Sequence, residues 1–289
     1  MICFPNAKIN LGLDIVAKRP DGYHNIETVF YPIACQDVLE CVPADEFQLN
    51  LSGISLDGKN EDNIVAKAYR LLAQHHPQLK PCAMHLHKNI PCGAGLGGGS
   101  ADAAFALKLI NDAQHLNIPM EKLEEYASSL GADCLFFLRN QAVFAEGKGD
   151  EFTDINLSLK GYYIVLVKPD IHISTAEAYA GVRPEKPAAS LLQLIQQPIE
   201  TWKEHIFNGF EKGVFEKHPE IKVNMAVAVK KLEELDEISK ANDEANTQID
   251  AELAKRNETF MKAVEAFNIA ARANEAARAK MDEFEKKGT

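Results

Sequence analysis

Short apolar runs broken by turn residues open the chain. Ile9 to Val16 reads as a strand, Arg19-Pro20-Asp21-Gly22 as a turn and Ile26 to Ile33 as a second strand, because short apolar runs separated by Pro and Gly are strand and turn chemistry. Val38 to Val42 and Phe47 to Leu51 continue the strand pattern. The period then changes. Ile64, Ala68, Leu71 and Leu72 recur at helical spacing within 63–75, and Asp62 or Asn63 stands where an N-cap is needed. Ala83 to His87 returns to alternation and delivers the chain into a glycine cluster. Helices are expected at Ser100 to Asn111 and at Met120 to Leu130, the second introduced by Pro119. Gly161 to Val167 reads as the first strand of another domain, which places a boundary near residue 155, and helical patches follow at 174–179, 189–196 and 206–215.

Beyond Ile221 the pattern changes character. Residues 222–287 hold no glycine and no proline and consist largely of Ala, Glu, Lys, Asn and Asp. Ile249, Leu253, Phe260, Val264 and Phe267 keep helical spacing around a polar interruption at Asn257, which predicts a long helix or a helical hairpin. The spacing is too irregular for a coiled coil, and the mixed charges pair on solvated faces without any partner. The chain therefore divides into 1–155, 156–221 and an unrelated helical segment, 222–289.

Composition narrows the classes of function. With 289 residues, 46% hydrophobic and 25% charged, the chain has the make-up of a soluble globular protein. A formal charge of −11 argues against a nucleic-acid surface, which needs clustered Lys and Arg. MICFPNAKIN lacks the basic and apolar stretches of a secretory signal, and YYIVLV at 162–167 is too short to span a membrane. Six scattered cysteines with no CxxC pair read as reduced thiols, so a cytoplasmic location is expected. His85 and His87 face one way on their strand, but no third ligand accompanies them, and surface or packing roles outweigh a metal pair.

The stretch PCGAGLGGGSADAA, residues 91–104, carries five glycines between Gly93 and Gly99. Residues 93–98 satisfy G-x-G-x-x-G, yet no second strand with an acidic residue follows at the Rossmann distance, and no GK[ST] follows as in a Walker loop. Amides freed by glycine in front of a helix N-terminus suit a di- or triphosphate. Ser100 is placed either to cap that helix or to meet a phosphate or its metal.

Together with PNAKINLGLDI at 5–15, RPDGYHNIETVFYPI at 19–33 and LGADCLFFL at 130–138, this loop resembles the GHMP kinase superfamily. DGYH combined with GAGLGGGS is most similar to the branch that phosphorylates 4-diphosphocytidyl-2-C-methyl-D-erythritol in non-mevalonate isoprenoid biosynthesis. The resemblance implies a two-domain α+β fold, with an N-terminal α/β nucleotide-binding domain and a ferredoxin-like second domain, here followed by the atypical helix. It implies ATP and Mg2+, with transfer of the γ-phosphate to the 2-hydroxyl of the methylerythritol unit. Pro91, Gly93, Ala94, Gly95, Leu96, Gly97, Gly98, Gly99, Ser100 and Ala101 would hold the nucleotide. Asp133 would be the general base and Lys8 its neighbour, a combination suited to activating a poor alcohol nucleophile. Asn10, Tyr23, His24 and Thr175 would contact the substrate, whose cytosine Tyr23 and His24 could stack on and hydrogen-bond. The base's stacking partner would come from the region His172 to Tyr179. Taken alone, Asp133 reads equally as a turn or cap residue, Lys8 as a solvated charge, and Tyr-His after Asp-Gly as strand entry.

The family's third motif, a glycine- and serine-rich turn near the C-terminus, has no counterpart after Ile221, where Gly288 is the lone glycine. Its absence predicts turnover well below that of chains carrying it. A second reading is an impaired nucleotide-binding protein that associates through its helical segment.

Overall fold

Strand alternation and helical spacing resolve into two four-stranded sheets with a helical layer. The computed structural model describes the backbone of residues 1–56 and 58–287, and the side chains among them up to residue 258 other than 236 and 257. The strands are β1 (Ile2–Cys3), β2 (Asn6–Lys18), β3 (His24–Gln36), β4 (Val38–Pro43), β5 (Gln48–Gly53), β6 (Cys82–Lys88), β7 (Val143–Glu146) and β8 (Glu151–Asp154). One sheet runs β1-β4-β6-β5 and the other β2-β3-β7-β8, antiparallel throughout except for the parallel pair β5 and β6.

Between β5 and β6 lies α1 (Ile64–His75), whose cap is Asn63: its side chain accepts the Val65 amide at 2.9 Å. After β6 come α2 (Gly98–Ala113), α3 (Met120–Leu130) and α4 (Cys134–Arg139). Alanine lets α2 pack close, and Ala101, Ala103, Ala104 and Ala106 are buried beside Leu107 and Ile110. Against them lie Leu39 of β4, Met84 and Leu86 of β6, Tyr69 and Leu72 of α1, Leu123 of α3, and Phe136 and Phe137 of α4 in one apolar cluster. Burial at roughly 25 cal/mol per Å2 makes this cluster the chief stabiliser of the domain.

The second region departs from its sequence pattern. No strand forms at 161–167; Tyr163 is 99% exposed, and Tyr162 and Ile164 to Val167 are exposed with it. A strand needs a partner ladder, and from 155 to 287 the described residues form no named strand that could supply one. The sheet of a ferredoxin-like second domain is thus absent among the described residues, and 156–221 carries α5 (Thr175–Ala180), α6 (Leu191–Leu194), α7 (Trp202–His205) and α8 (Glu211–Lys217). The helix expected over 206–215 begins only at Glu211. Residues before it pair with the free edge of β2 instead: Leu13 N donates to Phe207 O at 2.9 Å and Gly209 N to Leu13 O at 2.7 Å. A Cβ on Gly209 would stand 2.9 Å from the Leu13 carbonyl oxygen, so the approach needs glycine.

Residues Met1–Lys222 form one compact unit and Val223–Thr289 a second. Residues Pro219–Lys287 are one helix, α9, rather than a hairpin, with Pro at its first position. The Phe260, Val264 and Phe267 side chains lie outside the described residues. Val223, Leu235, Ile238, Ile249 and Leu253 are exposed, and no helix among the described residues is long and apolar enough to cross a membrane.

Candidate active site

Lys8 and Asn10 lie two residues apart on β2, so both side chains leave the same face of the strand. Lys8 Nζ donates to Asn10 Oδ1 at 2.7 Å, Asn10 Nδ2 donates to Thr28 Oγ1 at 2.9 Å, and the Thr28 hydroxyl donates to Gly12 O at 2.6 Å. This chain fixes the ammonium direction from the backbone upward. Lys8 is buried, and its Nζ stands 4.6 Å from the Phe30 ring centroid, which adds a cation–π contact. Burial holds the Lys8 pKa below the ordinary lysine value, with Asp133 pulling the other way. Both polar atoms of Asn10, a residue expected at the substrate, are engaged by Lys8 and Thr28.

Asp133 Oδ2 lies 3.6 Å from Lys8 Nζ. Asp133 occupies the N-cap position of α4, yet its carboxylate makes no capping hydrogen bond. The side chain stays 34% exposed, so one edge of the carboxylate faces Lys8 while it remains reachable from solvent. A cap residue would turn its oxygen onto the helix amides, so the Asp133 side chain does not act as the cap of α4.

The glycine loop runs directly beside this pair. Lys8 N donates to Leu96 O at 2.9 Å, clipping the loop to β2. Gly93, Gly95 and Gly97 take left-handed φ values of +67°, +72° and +72°. Left-handed residues at alternate positions are the backbone pattern of anion-binding nests. Gly97 is the N-cap of α2 and supplies no side-chain oxygen, which leaves the first-turn amides of Gly98, Gly99 and Ser100 for an external acceptor. A Cβ on Gly97 would come within 2.8 Å of the Phe137 ring and 3.2 Å of Lys8 Cγ, whereas one on Gly95 would meet nothing within 4 Å. Space at Gly95 and a bare helix end at Gly97 together fit a polyphosphate. Pro91 and Ala94 are half-buried, Gly99 is exposed and Ala101 is buried in the core. Ser100 is the third residue of α2 rather than its cap, and its hydroxyl hydrogen-bonds to the Cys134 thiol, whose pKa burial pushes up to about 11. His172 closes the loop's other side, 3.2 Å from where a Cβ of Gly93 would be.

Tyr23 and His24, expected at the base-recognition end, stand where the chain turns from β2 into β3. His24 stacks on Tyr179 with centroids 4.7 Å apart and planes 17° from parallel, and Tyr179 meets Phe210 edge-on at 4.9 Å. Tyr23 is exposed, with Lys148 Nζ 5.4 Å from its ring centroid. Thr175, exposed at the start of α5, stands one turn from Tyr179 on the same helix face, while Ser174 caps the helix through Glu177 N at 3.1 Å. The sequence located this segment without singling out Tyr179, Thr28 or Phe30; only the long-range pairing reveals them. Tyr179 titrates above its ordinary value because it is buried and, secondarily, because Asp133 is near.

Among the described residues no three His, Cys, Asp or Glu side chains gather as a metal cage. Mg2+ commonly keeps several waters and binds through phosphates with few protein ligands, so this donor set is compatible with a cation carried by the nucleotide.

A family model described as the GHMP kinases N terminal domain matches residues 63–141. A 4-diphosphocytidyl-2-C-methyl-D-erythritol kinase of Bacteroides fragilis is 55% identical over 225 residues, covering 76% of this chain and 82% of that protein. The kinase of the same name from Cytophaga hutchinsonii is 48% identical over 223 residues, covering 77% of this chain and 82% of that one. A crystal structure of 4-(cytidine 5'-diphospho)-2C-methyl-D-erythritol kinase superposes with a TM-score of 0.62 at 28% identity, over 77% of this chain and 80% of the other.

Proposed function

The chain belongs to the 4-diphosphocytidyl-2-C-methyl-D-erythritol kinase family, and from that premise we propose that it transfers the γ-phosphoryl group of ATP to the 2-hydroxyl of 4-diphosphocytidyl-2-C-methyl-D-erythritol. The observation that carries the reading is the junction of three parts in one place: a glycine loop with a bare helix end, Lys8 clipped to that loop, and Asp133 facing Lys8.

The roles follow from charge and position. Amides of the loop and of the first turn of α2 receive the phosphates, where the helix dipole favours negative charge. Asp133 accepts the proton of the attacking hydroxyl as the new P–O bond forms, and ADP leaves with the electrons of the old one. Lys8, held by Asn10, offsets charge that accumulates during transfer. Tyr179 and His24 offer a π-face to the cytosine, and the exposed Tyr23 ring, next to His24 in the chain, is free to add to it. Mg2+ carried by the nucleotide would neutralise part of the phosphate charge, and Ser100, in the first turn of α2, is the side-chain oxygen that would be available to hold it.

The test is Asp133→Asn. Turnover is expected to fall by about 10²- to 10⁴-fold, the usual contribution of a positioned base, while ATP binding and the thermal midpoint hold. Normal turnover by Asp133→Asn would remove Asp133 from the chemistry.

A further inference from the structure

The two stems of the phosphate loop close on one buried ionic cluster that the chemistry above does not use. Lys88 ends β6, just before the loop, and Asp102 lies in α2, just after it; Asp37 comes from the β3–β4 junction. All three are buried: 2% exposed for Lys88, 2% for Asp102 and 0% for Asp37. Lys88 Nζ donates to Asp102 Oδ2 at 2.7 Å and also to Asp37 Oδ2. Asp37 Oδ1 accepts the amides of Asn89 at 2.6 Å and Ile90 at 2.8 Å, the first residues of the loop. A Cβ on Gly98 would stand 3.4 Å from Lys88 Nζ, so the cluster lies directly beneath the start of α2.

Charge counting separates the two carboxylates. One ammonium neutralises one carboxylate, and a second buried anion without a counter-charge is costly. Both oxygens of Asp37 are satisfied, whereas Asp102 Oδ1 is buried with no hydrogen-bond partner. The proton therefore belongs on Asp102.

We propose that Asp37, Lys88 and Asp102 are positioning residues for phosphoryl transfer, holding the stems of the loop at the spacing the ATP phosphates need and doing so as a neutral unit with Asp102 protonated. The proposal rests on reading residues 91–100 as the ATP phosphate site. Burial raises the Asp102 carboxyl to about 8. The charged groups around it are Lys88 and Asp37; Cys3 of β1 also faces it, and that thiol is itself raised to about 12 by burial and by Asp102, with Lys108 and Asp112 of α2 acting on the same thiol. Loss of the proton leaves a net negative charge beneath the helix end that receives phosphate. ATP affinity then falls as pH rises.

The experiment is calorimetric ATP binding by the full chain at pH 7 and pH 9, for wild type, Asp102→Asn and Asp102→Ser. If the protonated form is the competent one, its fraction drops between these values and the apparent Kd rises roughly tenfold in the wild type. Both variants are expected to lose that pH step whatever their affinity at pH 7, and either one suffices if the other does not fold. A wild-type Kd that is flat with pH, or a step that persists in a folded variant, overturns the proposal while leaving the kinase reading intact. No ATP binding at either pH would overturn the loop reading, and the proposal with it.

Discussion

Gly95 and Gly97 share φ = +72° but differ in surroundings, which makes them a matched pair for separating backbone strain from close approach. At Gly95 an added Cβ meets nothing within 4 Å, so Gly95→Ala carries only the left-handed penalty of an L-residue, about 1–2 kcal/mol. At Gly97 the same Cβ would be 2.8 Å from two atoms of the Phe137 ring, which is fully buried and has no room to yield. Overpacking a core position adds about 1–3 kcal/mol, giving a total of about 2–5 kcal/mol. For a domain of this size about 1 kcal/mol moves the thermal midpoint by roughly 2–4 °C, so Gly95→Ala is expected to lose about 2–8 °C and Gly97→Ala about 4–20 °C. Activity should separate them further. The neighbouring Leu96 carbonyl holds the Lys8 amide at 2.9 Å, so a shift at Gly97 is passed to Lys8, and displacement on the order of 1 Å costs about 10²-fold in turnover. Gly95→Ala, projecting into the phosphate space, should chiefly raise KM for ATP. Scanning calorimetry and steady-state kinetics on both variants check this. Equal midpoints with unchanged kcat in Gly97→Ala would refute the claim that the loop's approach to Phe137 and Lys8 positions the reacting groups.

Tyr179→Ala is expected to raise KM for the cytidyl substrate by about 5- to 150-fold, corresponding to about 1–3 kcal/mol for a stacked base, and to leave KM for ATP unchanged; equal effects on both substrates would remove Tyr179 from base recognition. Burial lowers the Lys8 pKa from 10.5, and its role needs the ammonium, so the alkaline limb of kcat should begin below the ordinary lysine range. The same depression means the folded state binds fewer protons than the unfolded chain in that window. This contribution therefore favours folding above 10.5 and is lost as pH falls through the folded value. An alkaline limb at 10.5 or above would contradict the placement of Lys8 in the chemistry.

Local patterns carried much of this architecture. Strands β2 to β6 and helices α1 to α3 could be read from period and caps because each is long or well marked; the Asn63 cap and the α3 bounds agree with the reading to within a residue or two. The glycine loop was legible for the same reason. What escaped depends on partners distant in the chain. Helix α4 has only six residues, and its Leu135-Phe136-Phe137-Leu138 run carries no period. YYIVLV has strand composition but no ladder, and composition cannot say whether a partner exists. Lys88 and Asp37 are 51 residues apart, and His24 and Tyr179 meet only in the folded chain. The sequence did register that the family's third motif is missing, and the structure has α9 in that part of the chain.

The most direct measurement is ADP release by the purified, mass-verified full chain with ATP, magnesium and 4-diphosphocytidyl-2-C-methyl-D-erythritol, with mevalonate and homoserine as control acceptors. Release that depends on the cytidyl substrate alone, at a turnover reduced by the missing third motif, is the expected result. No substrate-dependent release from a chain that still binds ATP would contradict the account, leaving an ATP-binding protein without the transfer chemistry.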